Sequence, residues 1–138
     1  MTAVFGAQWT GVVPLPAATG DLKYIREVAA KLDFIAGLRH NWDGEQGKPI
    51  EPRILAIASE LLLPLSRFQP PVPRIAPVLG GGIQFEWEVA GRSLEIEILP
   101  DGSVEYLTAE GDRIEEGSLP DLPINEVRTL AGWVMGRR

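Results

Sequence analysis

Three consecutive stretches of the chain alternate glutamates with apolar residues. Glu86 and Glu88 lie between Phe85, Trp87 and Val89, Glu95 and Glu97 between Leu94, Ile96 and Ile98, and Glu105 between Val104 and Tyr106. Carboxylates grouped this way have three chemistries open to them. They can ligate a hard cation such as Mg²⁺ or Ca²⁺, act as the acid and nucleophile of a glycosidase pair, or present a negative surface to a basic partner. Flat strands project side chains in parallel rather than toward one point, which disfavours the metal site. A chain of 138 residues offers no obvious cleft for a glycosidase.

His40-Asn41-Trp42-Asp43-Gly44 is the second chemically conspicuous run, and His40 is the only histidine. His40 and Asp43 are the local acid–base candidates, and Trp42 with Asn41 makes the loop a contact candidate. The structural reading is a turn: Asn41 tolerates the left-handed conformation that ends a helix, Asp-Gly is a turn dipeptide, and Trp42 anchors the loop. No nucleophile accompanies the pair. Ser59, Ser66, Ser93, Ser103 and Ser118 lack the G-x-S-x-G setting, and there is no cysteine to supply a thiolate or a disulfide. Gly80-Gly81-Gly82 precedes a strand pattern rather than a helix, so a tight turn or bulge fits better than a phosphate-binding loop. No catalytic residue, metal ligand or cofactor is assigned.

The elements that would position these residues follow from periodicity. Asp21 reads as the N-cap of a first helix, along which Leu22, Ile25, Val28, Ala29, Leu32, Ile35 and Ala36 recur at helical spacing up to Leu38-Arg39. Pro52 opens a second helix with an Ile54, Ile57, Ala58, Leu61, Leu62, Leu65 stripe, and Pro64 kinks or ends it. Gln69 to Pro77 holds four prolines and reads as an extended connector. The period then changes to two through the glutamate-bearing strands, with Arg113 to Glu116 as a candidate fourth strand. Ile124, Val127, Leu130, Ala131 and Val134 recur as a closing helix within Pro123 to Gly136. The expected fold is α+β: two N-terminal helices, a three- to four-stranded antiparallel meander and a C-terminal helix, with helices on one face of the sheet. Residues 1–20 are expected as an extended arm, in which Phe5 and Trp9 are contact candidates for a partner or for the chain's own core. Residues 21–138 are expected as one domain.

Turn chemistry predicts a register. With Gly91-Arg92 as a two-residue loop, Glu88 lies opposite Glu95, Trp87 opposite Ile96, Glu86 opposite Glu97 and Phe85 opposite Ile98. A turn at Pro100-Asp101-Gly102 places Ile98 opposite Val104, Glu97 opposite Glu105 and Ile96 opposite Tyr106. The apolar residues then share one face, and Glu86, Glu97 and Glu105 form one row on the other. Arg113, Arg128, Arg137 and Arg138 are the basic residues available to neutralise it from within the chain.

The acidity is concentrated in this half of the chain. Residues 1–75 carry eight basic and seven acidic side chains, residues 76–138 five and twelve, for an overall charge of −6. That balance disfavours direct nucleic-acid binding. No run of 18 apolar residues marks a membrane span, and the N-terminal stretch lacks the basic region of a secretory signal, so a cytoplasmic location is expected.

The order N-W-D-G at Asn41 to Gly44, Pro49-Ile50, a helix, the prolines of Pro71 to Pro77, G-G-I-x-x-x-W at Gly81 to Trp87, and Asp101-Gly102 resembles a group of small bacterial proteins. The resemblance covers about residues 38 to 107. It implies a bacterial or phage setting and a coherent fold, and it carries no activity. Where that group often has a small polar residue before the second helix, this chain has Glu51. The expected function is a non-enzymatic interaction module that binds a basic protein through Glu86, Glu88, Glu95, Glu97 and Glu105, in the manner of an antitoxin or an immunity protein. The alternatives are an assembly subunit, homo-oligomeric or otherwise, that uses the apolar arm, and a metal-dependent hydrolase that uses the same glutamates.

Overall fold

The computed structural model describes residues 19–137. The chain runs α1 (Thr19–Ala36), α2 (Pro52–Leu62), a 3₁₀ helix (Leu63–Phe68), β1 (Arg74–Val78), β2 (Gly82–Val89), β3 (Arg92–Ile98), β4 (Val104–Glu110), β5 (Arg113–Leu119) and α3 (Ile124–Val134). The strands form an antiparallel meander in the order β1-β2-β3-β4-β5. The fold is therefore α+β, with five strands instead of the three or four expected. Among the described residues no helix is long and apolar enough to cross a membrane.

The additional strand comes from the proline-rich stretch, whose second half pairs with β2 from Arg74↔Glu86 to Val78↔Gly82. Pro77 has no amide hydrogen, and an edge strand tolerates that loss because only one side of it is paired. Leu79, Gly80 and Gly81 make the β1–β2 turn, with φ of +94° and +107° at the two glycines. Gly82 has no room for a side chain, since a Cβ there would lie 2.6 Å from the Ile98 carbonyl oxygen.

Helix α1 starts at Thr19, so Asp21 falls inside its first turn rather than ahead of it. The free amides of a first turn need no intrahelical partner, which lets a helix extend upstream of a plausible cap. Its buried stripe is Tyr24, Val28, Leu32 and Ile35, while Leu22, Ala29 and Ala36 are exposed. Tyr24 shifts the stripe: its ring is buried and its hydroxyl donates to the Leu62 carbonyl at 2.9 Å. Burial pushes that hydroxyl's pKa well above the ordinary tyrosine value, so it remains a neutral donor.

Helix α2 ends at Leu62 and tightens into the 3₁₀ helix, as the missing amide of Pro64 requires. Ile54, Ala58, Leu61 and Leu62 of α2 and Val127, Ala131 and Val134 of α3 are buried with the inner face of the sheet. That face contributes Ile83, Phe85, Trp87, Leu94, Ile96, Ile98 and Val104, each no more than 2% exposed. Trp87 also donates its indole N–H to the Pro71 carbonyl at 3.0 Å, tying the proline-rich stretch to the core.

Candidate functional site

The face of the sheet away from the helices is the candidate site, and its geometry depends on two hairpins. At the β3–β4 hairpin the predicted register holds, with Ile98↔Val104, Glu97↔Glu105 and Ile96↔Tyr106. The turn is closed by the Leu99 amide on the Ser103 carbonyl at 2.8 Å. Ser103 donates to the Asp101 carboxylate from both its amide and its hydroxyl, and these bonds hold the Asp101 pKa below the usual range. From α2, Arg53 donates to the Pro100 and Asp101 carbonyls and fixes the turn to the helical layer.

At the β2–β3 hairpin the predicted register is wrong by two residues. Glu86 lies opposite Glu95, Phe85 opposite Ile96, Trp87 opposite Leu94 and Glu88 opposite Ser93. The two-residue turn is Ala90-Gly91, with φ of +50° and +86°, so both central residues adopt the left-handed conformation of the turn that matches strand twist. A non-glycine residue at positive φ is unfavourable, and Arg92 supplies a compensating reason. Placed in β3 instead of the turn, its Nε pairs with Glu110 at 3.1 Å, its NH1 donates to the Trp133 carbonyl at 2.6 Å, and its guanidinium lies 5.0 Å from the Trp133 ring centre. That contact places a cation at the C-terminal turn of α3, the negative end of the helix dipole. A two-residue slip leaves every side chain on its original face, so the acidic face survives with its rows rearranged.

Two rows dominate that face. One runs Ala76, Gln84, Glu97, Glu105 and Ser118, and the other Arg74, Glu86, Glu95, Leu107 and Glu116. Glu88 stands in a third, opposite Ser93. The expected row of Glu86, Glu97 and Glu105 is thus split. Glu86 is ion-paired with Arg74 at 2.6 Å, which leaves Glu95, Glu97 and Glu105 as the carboxylates at the centre. Burial, and then the charges of Glu105 and Glu95, hold the Glu97 pKa above its ordinary value. Of the four arginines considered as internal neutralisers, Arg113 pairs with Glu115 at 3.6 Å and Arg128 donates to Asn125. Arg137 takes part in no described ion pair, and Arg138 lies outside the described residues.

Sequence reasoning missed the apolar margin of this face. Leu107 and Ala109 of β4 and Ile114 of β5 lie on the outer side, while Thr108 is buried on the inner side. The signal was the inverted order Leu-Thr-Ala within an otherwise regular alternation. Ile114 is 63% exposed.

The His40–Asp43 loop is held by its own side chains. Asp43 Oδ1 accepts from the amides of Glu45 and Gly47 at 2.9 and 2.8 Å, and Asn41 Oδ1 accepts from the Gln46 amide at 2.6 Å. These backbone hydrogen bonds depress the Asp43 pKa. Asn41 has φ of +66°, and Trp42 donates to the Lys48 carbonyl at 2.9 Å. Gly47 lies directly against the indole, since a Cβ there would be 2.7 Å from it. His40 is exposed, and no described hydrogen bond joins it to Asp43. Phe5 and Trp9 of the expected arm lie outside the described residues.

Among the described residues, no three histidine, aspartate or glutamate side chains converge on one point as a cation site would require. The strands keep the glutamates side by side instead. A cleft of about 370 Å³ lies on the other side of β4 and β5, against α3, with Tyr106, Thr108, Arg113, Glu115 and Trp133 in its wall. No family model matches the chain, and neither a curated protein nor a solved structure is similar to it at a significant level.

Proposed function

We propose that this chain is a non-enzymatic interaction module that docks a basic protein surface on the outer face of its sheet, as an antitoxin-like or immunity-like neutraliser does. The observation that carries the reading is the centre of that face. Glu95, Glu97 and Glu105 stand together, no described helix covers them, and Arg74, the one basic residue that the described strands place on this face, is already engaged by Glu86. Like charges opposite one another in a sheet destabilise it by a fraction of a kcal/mol to about 1 kcal/mol per pair. A basic partner converts that repulsion into attraction, and the concentrated charge steers its approach.

The test is capture from cell lysate with wild-type protein and with the triple variant Glu95→Gln, Glu97→Gln, Glu105→Gln, each at low and high salt. A basic partner held by the wild type at low salt, released at high salt and lost in the triple variant is the expected result. A partner that the triple variant retains overturns the reading. Thermal melts of both proteins establish that the substitutions leave the fold intact.

A further inference from the structure

We infer that β5 is a seam along which two copies of this chain pair, edge to edge and antiparallel, to give a continuous ten-stranded sheet. A sheet edge displays unpaired amides and carbonyls and must be blunted or covered to remain single. The β1 edge is blunted by Pro77, and it has α1 beside it, with Lys31 donating to the Pro73 carbonyl at 3.1 Å. The β5 edge has neither of these devices; what guards it is charge, on Arg113, Glu115 and Glu116, and a second copy of matching charge can pair with that. The strand runs seven residues without proline, its first four residues are exposed on both faces, and β4 is its one substantial neighbour among the described elements.

Side chains select the occupant and the register. In an antiparallel pair about a two-fold axis, residues that meet must share a face, so the axis passes through a single residue type. Centred on Ile114, the pairing sets Ile114 on Ile114 of the second copy and Arg113 opposite Glu115 of the second copy, twice. Arg113 and Glu115 already contact each other within one chain at 3.6 Å, so the four charges alternate around a closed rectangle. Ala109 lies beside Ile114 on the outer face, and the seam joins both pairs into one apolar band. The registers centred on the two neighbouring glutamates are poorer. An axis at Glu115 or Glu116 sets like charges against each other on the axis and leaves Arg113 without an acidic partner. The Ile114 register has one unfavourable feature, Asp112 of the turn opposite Glu116 of the second copy. So short a seam buries far less than the ~1,600 Å² of a standard interface, and the association is therefore concentration-dependent.

Sedimentation velocity across a concentration series tests this directly, independently of the acidic-face reading because no partner is needed. The wild type is expected to shift from monomer to dimer, Arg113→Glu to remain monomeric, and the charge-swapped Arg113→Glu/Glu115→Arg to recover the dimer. Both positions are exposed, but Arg113→Glu faces Glu110 across the β4–β5 hairpin, so its melt is expected to fall slightly while the fold is kept. The chain has no cysteine, so Ile114→Cys introduces a unique thiol that meets its own copy on the axis, within disulfide reach. Under oxidised glutathione it is expected to cross-link, and Ser118→Cys is not. A monomer at every concentration, a dimer indifferent to Arg113→Glu, or equal cross-linking at both cysteine positions overturns the inference.

Discussion

Replacing Glu97 by glutamine is expected to stabilise the domain while weakening its docking face. Glu97 sits directly opposite Glu105 and two residues from Glu95 on the same face of β3. Two unit charges about 6 Å apart in water repel by roughly 0.7 kcal/mol. Screening at physiological salt, with a Debye length near 8 Å, about halves that. Two such neighbours then give a gain of roughly 0.5 kcal/mol for Glu97→Gln, within the range for like-charge cross-strand pairs. In urea denaturation the midpoint should rise by roughly 0.2–0.5 M with an unchanged slope.

The sign with pH is fixed by the direction of the Glu97 shift. Its carboxyl titrates above the ordinary value in the folded protein, so the native state binds more protons than the unfolded chain in the window between the two. The destabilisation due to Glu97 is therefore fully present above its folded pKa. It disappears as pH falls toward the ordinary carboxylate value, where wild type and variant should converge. Asp43 and Asp101 have the opposite sign, contributing stability that is lost as pH falls through their depressed values, but they cancel in the comparison. A variant no more stable than wild type at low salt would refute the account, and 1 M salt should remove the share of the gain due to Glu105 and Glu95 while leaving the share due to burial of the carboxylate.

Two further substitutions test the supports of the fold. Gly47→Ala places a methyl 2.7 Å from the Trp42 ring and 2.8 Å from Asp43 Oδ1, and is expected to cost about 1–3 kcal/mol, measured by thermal melting together with Trp42 fluorescence. Arg92→Met removes the Glu110 pair, the bond to the Trp133 carbonyl and the contact with its ring. It is expected to cost about 1–3 kcal/mol, with amide-exchange protection lost first in the last turn of α3.

Local chemistry made the β3–β4 hairpin legible, because Pro100-Asp101-Gly102 specifies both a turn and a register. At the β2–β3 hairpin the expected loop, Gly91-Arg92, gave way to Ala90-Gly91, and the contacts that draw Arg92 into β3 account for the shift. Its partners, Glu110 and Trp133, are 18 and 41 residues away and lie outside any local pattern. β1 was hidden by Pro77 and by the prolines that precede it, since only its place at an edge makes Pro77 acceptable. β5 was half visible because a strand exposed on both faces has no alternation to read. The candidate site was legible as a face, since a slip of two preserves sidedness, but its neighbours were not: which glutamate meets which depended on the one turn that local chemistry placed wrongly.

That rearrangement changes what the face can recognise. The misread register lined up three glutamates across three strands, as a partner with a linear basic stretch would want. The observed one pairs Glu86 with Arg74 at the margin and leaves Glu95, Glu97 and Glu105 as a compact corner. Glu97 and Glu105 are separated by one strand spacing of about 4.8 Å, and Glu95 and Glu97 by two residues of strand, about 6.7 Å. Basic residues three or four apart on a helix have similar separations, roughly 5–6 Å between Cβ atoms. Under the docking reading, then, the partner surface that fits is one helical turn carrying two cations. A peptide helix with lysines at i and i+4 should bind more tightly than the same composition with its lysines at i and i+2. Equal affinities for the two would show that the face acts through net charge alone, and the arrangement of its rows would then carry no specificity.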